Sequence, residues 1–433
     1  MIDTKPFQLV VNNAVQPPDI AGVYLVTDQG PNLMDRVCEA LHGGVSTLQY
    51  RAKGLDYGAR LVEGGELKRL CTRFGATFIV NDDAQLAQEL DADGVHLGQE
   101  DGDISSARTL LGPHKIIGKS THNLEEALRA EQEGADYIGF GALYPTGSKV
   151  VTHLPGVAGL ASIRDAVTIP IVAIGGITAG NACSVIDAGA DAVAVISSVL
   201  SNPRPDTAAA ELLLLFNRLQ PFPRGAVLSV AGSDSGGGAG IQADVKTITL
   251  LGSYAATVLT ALTAQNTKGV SAIHGLPPSF MLEQLDAILN DIPIDVIKTG
   301  MLHTPAMISA LAERLGERKV LIPMVIDPVM VAKGGAPLLE REAVQVFCDQ
   351  LLPLAYLLTP NIPEAERLLG RPIHNESEVE QACRDLHALG AANVLIKGGH
   401  MDGHLSTDIL FDGSSCHHFS SERMFTGNTH GTG

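Results

Sequence analysis

Gln49, Arg51 and Lys53 follow an apolar lead-in containing Val45 and Leu48. On a β-strand that spacing puts all three side chains on one face. Two cations and an amide on one face of a buried strand are costly unless an anion offsets the desolvation. A guanidinium beside an ammonium suits a phosphate or diphosphate. The plainer alternative is a strand end whose basic tips reach water. Asp82 and Asp101 are hard oxygen donors of the kind Mg²⁺ takes together with phosphate oxygens, although Asn81 or Asp82 would also suit a cap on the following helix and Asp101 a turn. Asn81, Ser120, Thr146, Ser148 and Lys149 add neutral donors and a further cation. Gly175-Gly176 and Ser197-Ser198 are pairs that let backbone N–H groups approach a phosphate closely.

The elements that would position these residues recur along the first two hundred positions. Apolar segments at Val23–Thr27, Val45–Tyr50, Thr77–Val80, Gly94–Leu97, Lys115–Gly118, Tyr137–Phe140, Pro170–Ile174 and Ala192–Ile196 read as strands. Helical spacing fills the gaps; Leu33, Val37 and Leu41 share one face, and an Ala-Leu run near Ala208–Phe216 closes the series. Alternating β and α units of this number fit a (β/α)8 barrel, whose chemistry collects at the carboxyl ends of the strands. The polar residues above fall there. His96 reads as a satisfied core histidine and Lys149, taken alone, as a solvated loop lysine.

In order and spacing, Tyr24-Leu-Val-Thr-Asp28, Gln49-Tyr-Arg-Ala-Lys53, Gly94-Val-His-Leu-Gly-Gln-Glu-Asp101, Tyr144-Pro-Thr-Gly-Ser-Lys149 and Ala173-Ile-Gly-Gly-Ile177 resemble thiamine-phosphate synthase. The resemblance implies a TIM barrel that joins 4-amino-2-methyl-5-hydroxymethylpyrimidine diphosphate to thiazole phosphate and releases diphosphate. It also implies that Gln49, Arg51, Lys53, Asn81, Ser120 and Lys149 hold the pyrimidine diphosphate, with Arg51, Lys53 and Lys149 as the catalytic cations. Asp82 and Asp101 would hold Mg²⁺, and Thr146, Ser148, Gly176, Ile196 and Ser197 the thiazole phosphate. Asp83 departs from the family, which usually has Arg there; a weaker diphosphate site or a perturbed metal site is expected. A phosphate-sugar isomerase is the competing barrel chemistry, but no Glu or Lys base stands at a strand end.

Gln220-Pro-Phe-Pro-Arg-Gly225 reads as a stiff linker, giving domains at 1–220 and 225–433. After a strand at Ala226–Val230, Gly238, Gly240 and Ala243 form G-x-G-x-x-A and a helix runs to about Leu251. A dinucleotide site would need an acidic residue after the next strand, and Val258–Thr267 is uncharged. Strands at Asp295–Lys298, Val320–Asp327, Tyr356–Thr359 and Val394–Lys397 complete an open α/β sheet. The motifs Ala231-Gly-Ser-Asp…Gly240-Ile-Gln-Ala-Asp244, Thr260–Thr267, Thr359-Pro-Asn-Ile-Pro-Glu364, Lys397-Gly-Gly-His400 and Asn428–Gly433 resemble hydroxymethylpyrimidine/phosphomethylpyrimidine kinase, a ribokinase-like enzyme. That implies ATP-dependent phosphorylation of the pyrimidine alcohol and its monophosphate, with Asp244, Gln265 and Met301 on the pyrimidine. Lys397 would be catalytic and, with Asp327, Asn361 and Glu364, would serve nucleotide phosphates and Mg²⁺. Taken singly, Asn361 and Glu364 suit a helix cap and first turn, and Asp244 a solvated helix face. In the family, His-Gly-Thr-Gly continues into a cysteine and a helix, whereas this chain stops at Gly433. The kinase-like domain is therefore expected to be truncated and weakly active, the alternative being a non-catalytic pyrimidine-binding module beside the synthase.

A net charge of −18 argues against nucleic acid as the partner. No uninterrupted apolar run is long enough for a membrane span, and the first twenty residues lack the pattern of a signal peptide. The six Cys, without a CxxC, suit a reduced cytoplasmic protein. Small-molecule substrates are the expected partners, and a homo-oligomer is compatible with the sequence.

Overall fold

The structure is a computed structural model that describes residues 20–146, 154–220, 223–318, 321–330, 341–399 and 404–423. By compactness the chain divides into two units, one carrying the barrel strands (1–27, 46–177 and 184–195) and one comprising 28–45, 178–183 and 196–433.

Eight parallel strands close into a barrel in chain order: β1 (Gly22–Val26), β2 (Thr47–Tyr50), β3 (Thr77–Asn81), β4 (Gly94–Leu97), β5 (Ile116–Thr121), β6 (Tyr137–Gly141), β7 (Ile171–Ile174) and β8 (Ala192–Val195). The last pairs with the first, Val23 opposite Val193 and Leu25 opposite Val195. Near-continuous apolar runs make these strands legible, because a parallel strand covered on both faces has no wet side. Tyr24, Tyr50, Tyr137, Phe78 and Phe140 are the largest side chains buried in this core.

One expectation fails at the strand that carries the cations. β2 ends at Tyr50, so Arg51 and Lys53 do not continue its alternation. The Thr27 hydroxyl takes both main-chain groups of Arg51, accepting from its N–H at 2.8 Å and donating to its carbonyl at 3.1 Å. That contact draws Arg51 out of the ladder. Gln49 is buried in the barrel, whereas Lys53 lies in a turn with its side chain 64% exposed.

The second half forms a nine-stranded sheet in the order β11-β10-β9-β12-β13-β14-β15-β16-β17. Its strands are β9 (Ala226–Asp234), β10 (Tyr254–Asn266), β11 (Gly269–Gly275), β12 (Val296–Thr299), β13 (Met324–Ile326), β14 (Ala355–Leu358), β15 (Asn393–Ile396), β16 (Leu405–Phe411) and β17 (Cys416–Glu422). The strands from β10 to β15 pair in parallel and those at both edges antiparallel. The three antiparallel strands β11, β16 and β17 were not foreseen. β17 exposes nearly every residue, so it lacks the apolar contrast that marks a strand in sequence. The central strands and their helices enclose a core that includes Leu228, Val230, Ile297, Ile326, Phe347 and Leu358.

Candidate active sites

At the carboxyl ends of β3 and β4 the structure brings Asp82, Asp101, Asn81 and Lys53 together. Asp82 carries a left-handed backbone, φ 65°, and its N–H donates to the His96 carbonyl at 2.8 Å. Burial pushes its carboxyl above the ordinary range, the neighbouring Asp101 carboxyl adds to the rise, and Lys53 opposes it. Lys53 Nζ lies 3.6 Å from Asp82. Asp101 sits in a bend after β4, where Gly98 N–H donates to its Oδ2 at 3.0 Å. The helix cap suggested for Asn81 or Asp82 belongs to Asp83, which accepts from Leu86 N–H at 2.9 Å and pairs with Arg60 at 3.1 Å. Its carboxylate is thereby directed to Arg60 and the helix end. The Arg51 guanidinium has no ion-pair partner among the described residues.

Gln49 and Ser120 are the two ends of a buried chain of hydrogen bonds through the barrel. Gln49 Nε2 donates to Tyr24 Oη at 3.0 Å, Tyr24 Oη meets Tyr137 Oη at 2.8 Å, and Tyr137 Oη meets His96 Nδ1 at 2.9 Å. His96 Nε2 then reaches Ser120 Oγ at 2.9 Å. Burial holds the imidazole down to about 4, so it is neutral at physiological pH. Each phenol has one proton and neutral imidazole one N–H. With Gln49 donating to Tyr24, the remaining protons run Tyr24 to Tyr137 to His96 Nδ1, leaving Nε2–H on Ser120. The Ser120 proton is then available to an acceptor at the barrel mouth. Tyr24 and Tyr137 were missed from sequence; a buried phenol needs a partner for its hydroxyl, and that need was the available signal.

Gly175 and Gly176, after β7, have φ of 105° and 63°. A Cβ on Gly176 would stand 2.4 Å from the Pro145 carbonyl, so close approach here is to the chain's own loop. Thr146 is half-buried, and Ile196 and Ser197 directly follow β8. Ser148 and Lys149 lie outside the described residues, as do His400 and Asn428–Gly433.

In the second sheet, Asp327, Asn361 and Lys397 follow β13, β14 and β15. Lys397 Nζ is 3.1 Å from Asp327 Oδ1, and the Lys397 backbone bridges to that of Asn361. Asn361 and Glu364 form the reciprocal cap of the helix Ile362–Leu369, with bonds of 2.9 and 2.8 Å, as their types suggested. Burial, first of all, pushes Glu364 up to about 7.

Asp244 is not on a solvated helix face. Both its oxygens lie 2.9 Å from Lys298 Nζ, and Ser229 Oγ donates to it at 2.6 Å. Lys298, a lone lysine in the short strand β12, is the residue sequence reading overlooked. Met301 is buried against Ala261, and Gln265 Oε1 accepts from Thr263 at 3.1 Å. The glycine-rich turn holds its own anion: Asp234 accepts from the N–H groups of Gly236, Gly238 and Ala239 at 2.7, 3.0 and 2.8 Å. Those amides are not open to a pyrophosphate, which removes the dinucleotide alternative.

A closed parallel barrel with carboxylates and cations at its strand ends is joined in one chain to a nine-stranded mixed sheet that gathers charged side chains at its own strand ends. Residues 23–199 match the family described as thiamine monophosphate synthase, and residues 234–433 the family described as phosphomethylpyrimidine kinase. The thiamine biosynthesis bifunctional protein ThiED of Geobacter sulfurreducens is 60% identical over 426 residues, covering 98% of this chain and 87% of that one. The thiamine biosynthesis multifunctional protein ThiED of Corynebacterium efficiens is 35% identical over 430 residues, covering 95% of this chain and 58% of that one. The hydroxymethylpyrimidine/phosphomethylpyrimidine kinase of Escherichia coli is 46% identical over 207 residues, 48% of this chain and 77% of that one. The chain belongs to the family of bifunctional thiamine biosynthesis proteins, transferases that carry a synthase and a kinase domain. Families of this kind use ATP and Mg²⁺ in general.

Proposed function

We propose that residues 1–220 couple pyrimidine diphosphate to thiazole phosphate, and that residues 225–433 use ATP to phosphorylate the pyrimidine alcohol and its monophosphate. The observation that carries the first half is the meeting of Asp82 and Asp101 beside Lys53. Two carboxylates fit Mg²⁺, which keeps waters and substrate phosphate oxygens instead of taking an all-protein cage. No group of three or more metal-ligating side chains occurs among the described residues.

Asp82 and Asp101 would hold that ion, whose chemistry there is to neutralise charge on the departing diphosphate. Arg51, Lys53 and Lys149 add cationic stabilisation where negative charge grows. Gln49, Asn81 and Ser120 orient the pyrimidine diphosphate, and the Ser120 hydroxyl serves as a donor because His96 donates to it and leaves its proton uncommitted. Thr146, Ser148, Gly176, Ile196 and Ser197 take the thiazole phosphate. The aminopyrimidine ring can supply electrons to the carbon as its C–O bond breaks, so no protein nucleophile is required. In the second half, Lys397, Asp327, Asn361 and Glu364 serve ATP phosphates and Mg²⁺, while Asp244, Gln265 and Met301 take the pyrimidine. The six free cysteines support a reduced, cytoplasmic setting, and no described helix is long and apolar enough to cross a membrane.

A paired assay tests both halves. Thiazole phosphate is supplied with either pyrimidine diphosphate or pyrimidine alcohol plus ATP, and thiamine phosphate is measured. Product from the first mixture is expected and its absence rejects the synthase reading. Product from the second supports the kinase; pyrimidine binding without ATP consumption would leave the second half a binding module.

A further inference from the structure

Lys119 lies in β5 and only 8% of it reaches solvent. A buried ammonium ordinarily has a carboxylate partner or a full set of acceptors. Lys119 has two backbone carbonyls instead, donating to Gly98 at 2.8 Å and Gly102 at 3.0 Å. Those carbonyls stand at the two ends of the segment 98–102, which belongs to no helix or strand and carries Asp101. Within the segment, Gly98 N–H holds the Asp101 carboxylate, and a Cβ on Gly98 would come within 2.4 Å of Asp101 Oδ2. Gln99 Nε2 adds a bond of 2.5 Å to the Ser120 carbonyl. Gly102 has φ 110°, a conformation glycine reaches easily but also leaves easily. Gly98 N–H fixes the Asp101 carboxylate only relative to its own loop; the Lys119 ammonium spans that loop and fastens both of its ends.

We propose that Lys119 is a positioning residue, its ammonium pinning segment 98–102 so that Asp101 faces Asp82 in the geometry a divalent cation needs. The inference rests on the metal reading above and goes beyond it, because Lys119 itself touches neither substrate nor ion. A lysine retained only for barrel stability would lower the melting temperature on replacement without changing affinity for the cation.

The test uses the full chain with Mn²⁺ as the probe, in the presence of inorganic diphosphate, free Mn²⁺ being counted by electron paramagnetic resonance. Lys119→Met is expected to weaken Mn²⁺ binding at least ~10-fold, the scale seen when a group orienting a metal ligand is lost. Asp101→Asn weakens it too, and adding Lys119→Met to Asp101→Asn changes affinity by less than about twofold, since both act through one carboxylate. Binding by Lys119→Met within about twofold of the parent overturns the proposal, as does full additivity in the double variant. Should circular dichroism show Lys119→Met unfolded, Lys119→Gln carries the test: its shorter, uncharged amide keeps N–H donors and predicts an intermediate loss, and parental affinity overturns the idea. No Mn²⁺ binding by the parent would reject the metal reading itself, a result distinct from equal binding by parent and variant.

Discussion

Ser120 acquires its direction from a chain of hydrogen-bonded side chains buried in the barrel. With the imidazole neutral, the chain from Gln49 through Tyr24, Tyr137 and His96 gives each phenol proton and the imidazole N–H one acceptor. His96 has an ordinary value of 6.5 in the unfolded chain and is held down to about 4 by burial in the fold. A depressed value means that its contribution to stability is complete above 6.5 and is lost as pH falls toward about 4. The loss approaches roughly 3 kcal/mol, the difference in pKa at about 1.36 kcal/mol per unit. His96→Asn removes the titrating group. Its thermal-stability deficit relative to the parent should be largest near pH 7.5 and narrow near pH 5, as the parent pays for keeping the imidazole neutral. Equal deficits at both pH values would contradict the buried neutral histidine. His96 was legible as a core histidine; its reach to Ser120 was not, because that contact joins adjacent strands across the gap between β4 and β5.

Asp83 shows how an element can absorb a residue that looks misplaced in sequence. Its carboxylate starts the helix Ala84–Glu89 and binds Arg60 from the helix Tyr57–Phe74. Asp83→Ala should cost about 1–2 kcal/mol through the lost cap and the stranded guanidinium. The Mg²⁺ concentration for half-maximal thiamine phosphate synthesis should be unchanged; a several-fold shift would return Asp83 to the metal site. Strand existence was legible for the barrel because burial on both faces enforces apolar runs. The end of β2 was not, since the Thr27 hydroxyl that turns Arg51 aside comes from another strand end. Similarly, the exposed strand β17 is paired by β16 and has no apolar stripe of its own to announce it.

At the scale of the molecule, two phosphate-handling modules share one chain, and each gathers its charged residues at the carboxyl ends of parallel strands. Arg51 belongs to the first module alone. Arg51→Ala is expected to lower thiamine phosphate formation from preformed pyrimidine diphosphate at least ~100-fold, the scale of removing one stabilising donor. Pyrimidine-dependent ATP consumption by the same polypeptide should stay at the parental level, and a parallel fall in both would mean a folding defect or coupled modules. Sequence motifs exposed this two-part organisation because phosphate chemistry demands particular side chains at turns. They did not expose Lys119 or Lys298, whose partners are a loop carbonyl pair and a helix carboxylate brought close only by folding.

The left-handed turn at Asp82 restricts what can stand there. Asparagine, aspartate and glycine visit that backbone region with little penalty, whereas other side chains crowd the following carbonyl. Asparagine at this position therefore isolates the loss of one negative charge with the chain path intact. Alanine, smaller and seemingly gentler, would change charge and backbone together, so an inactive alanine variant would say less about the metal than an inactive asparagine one.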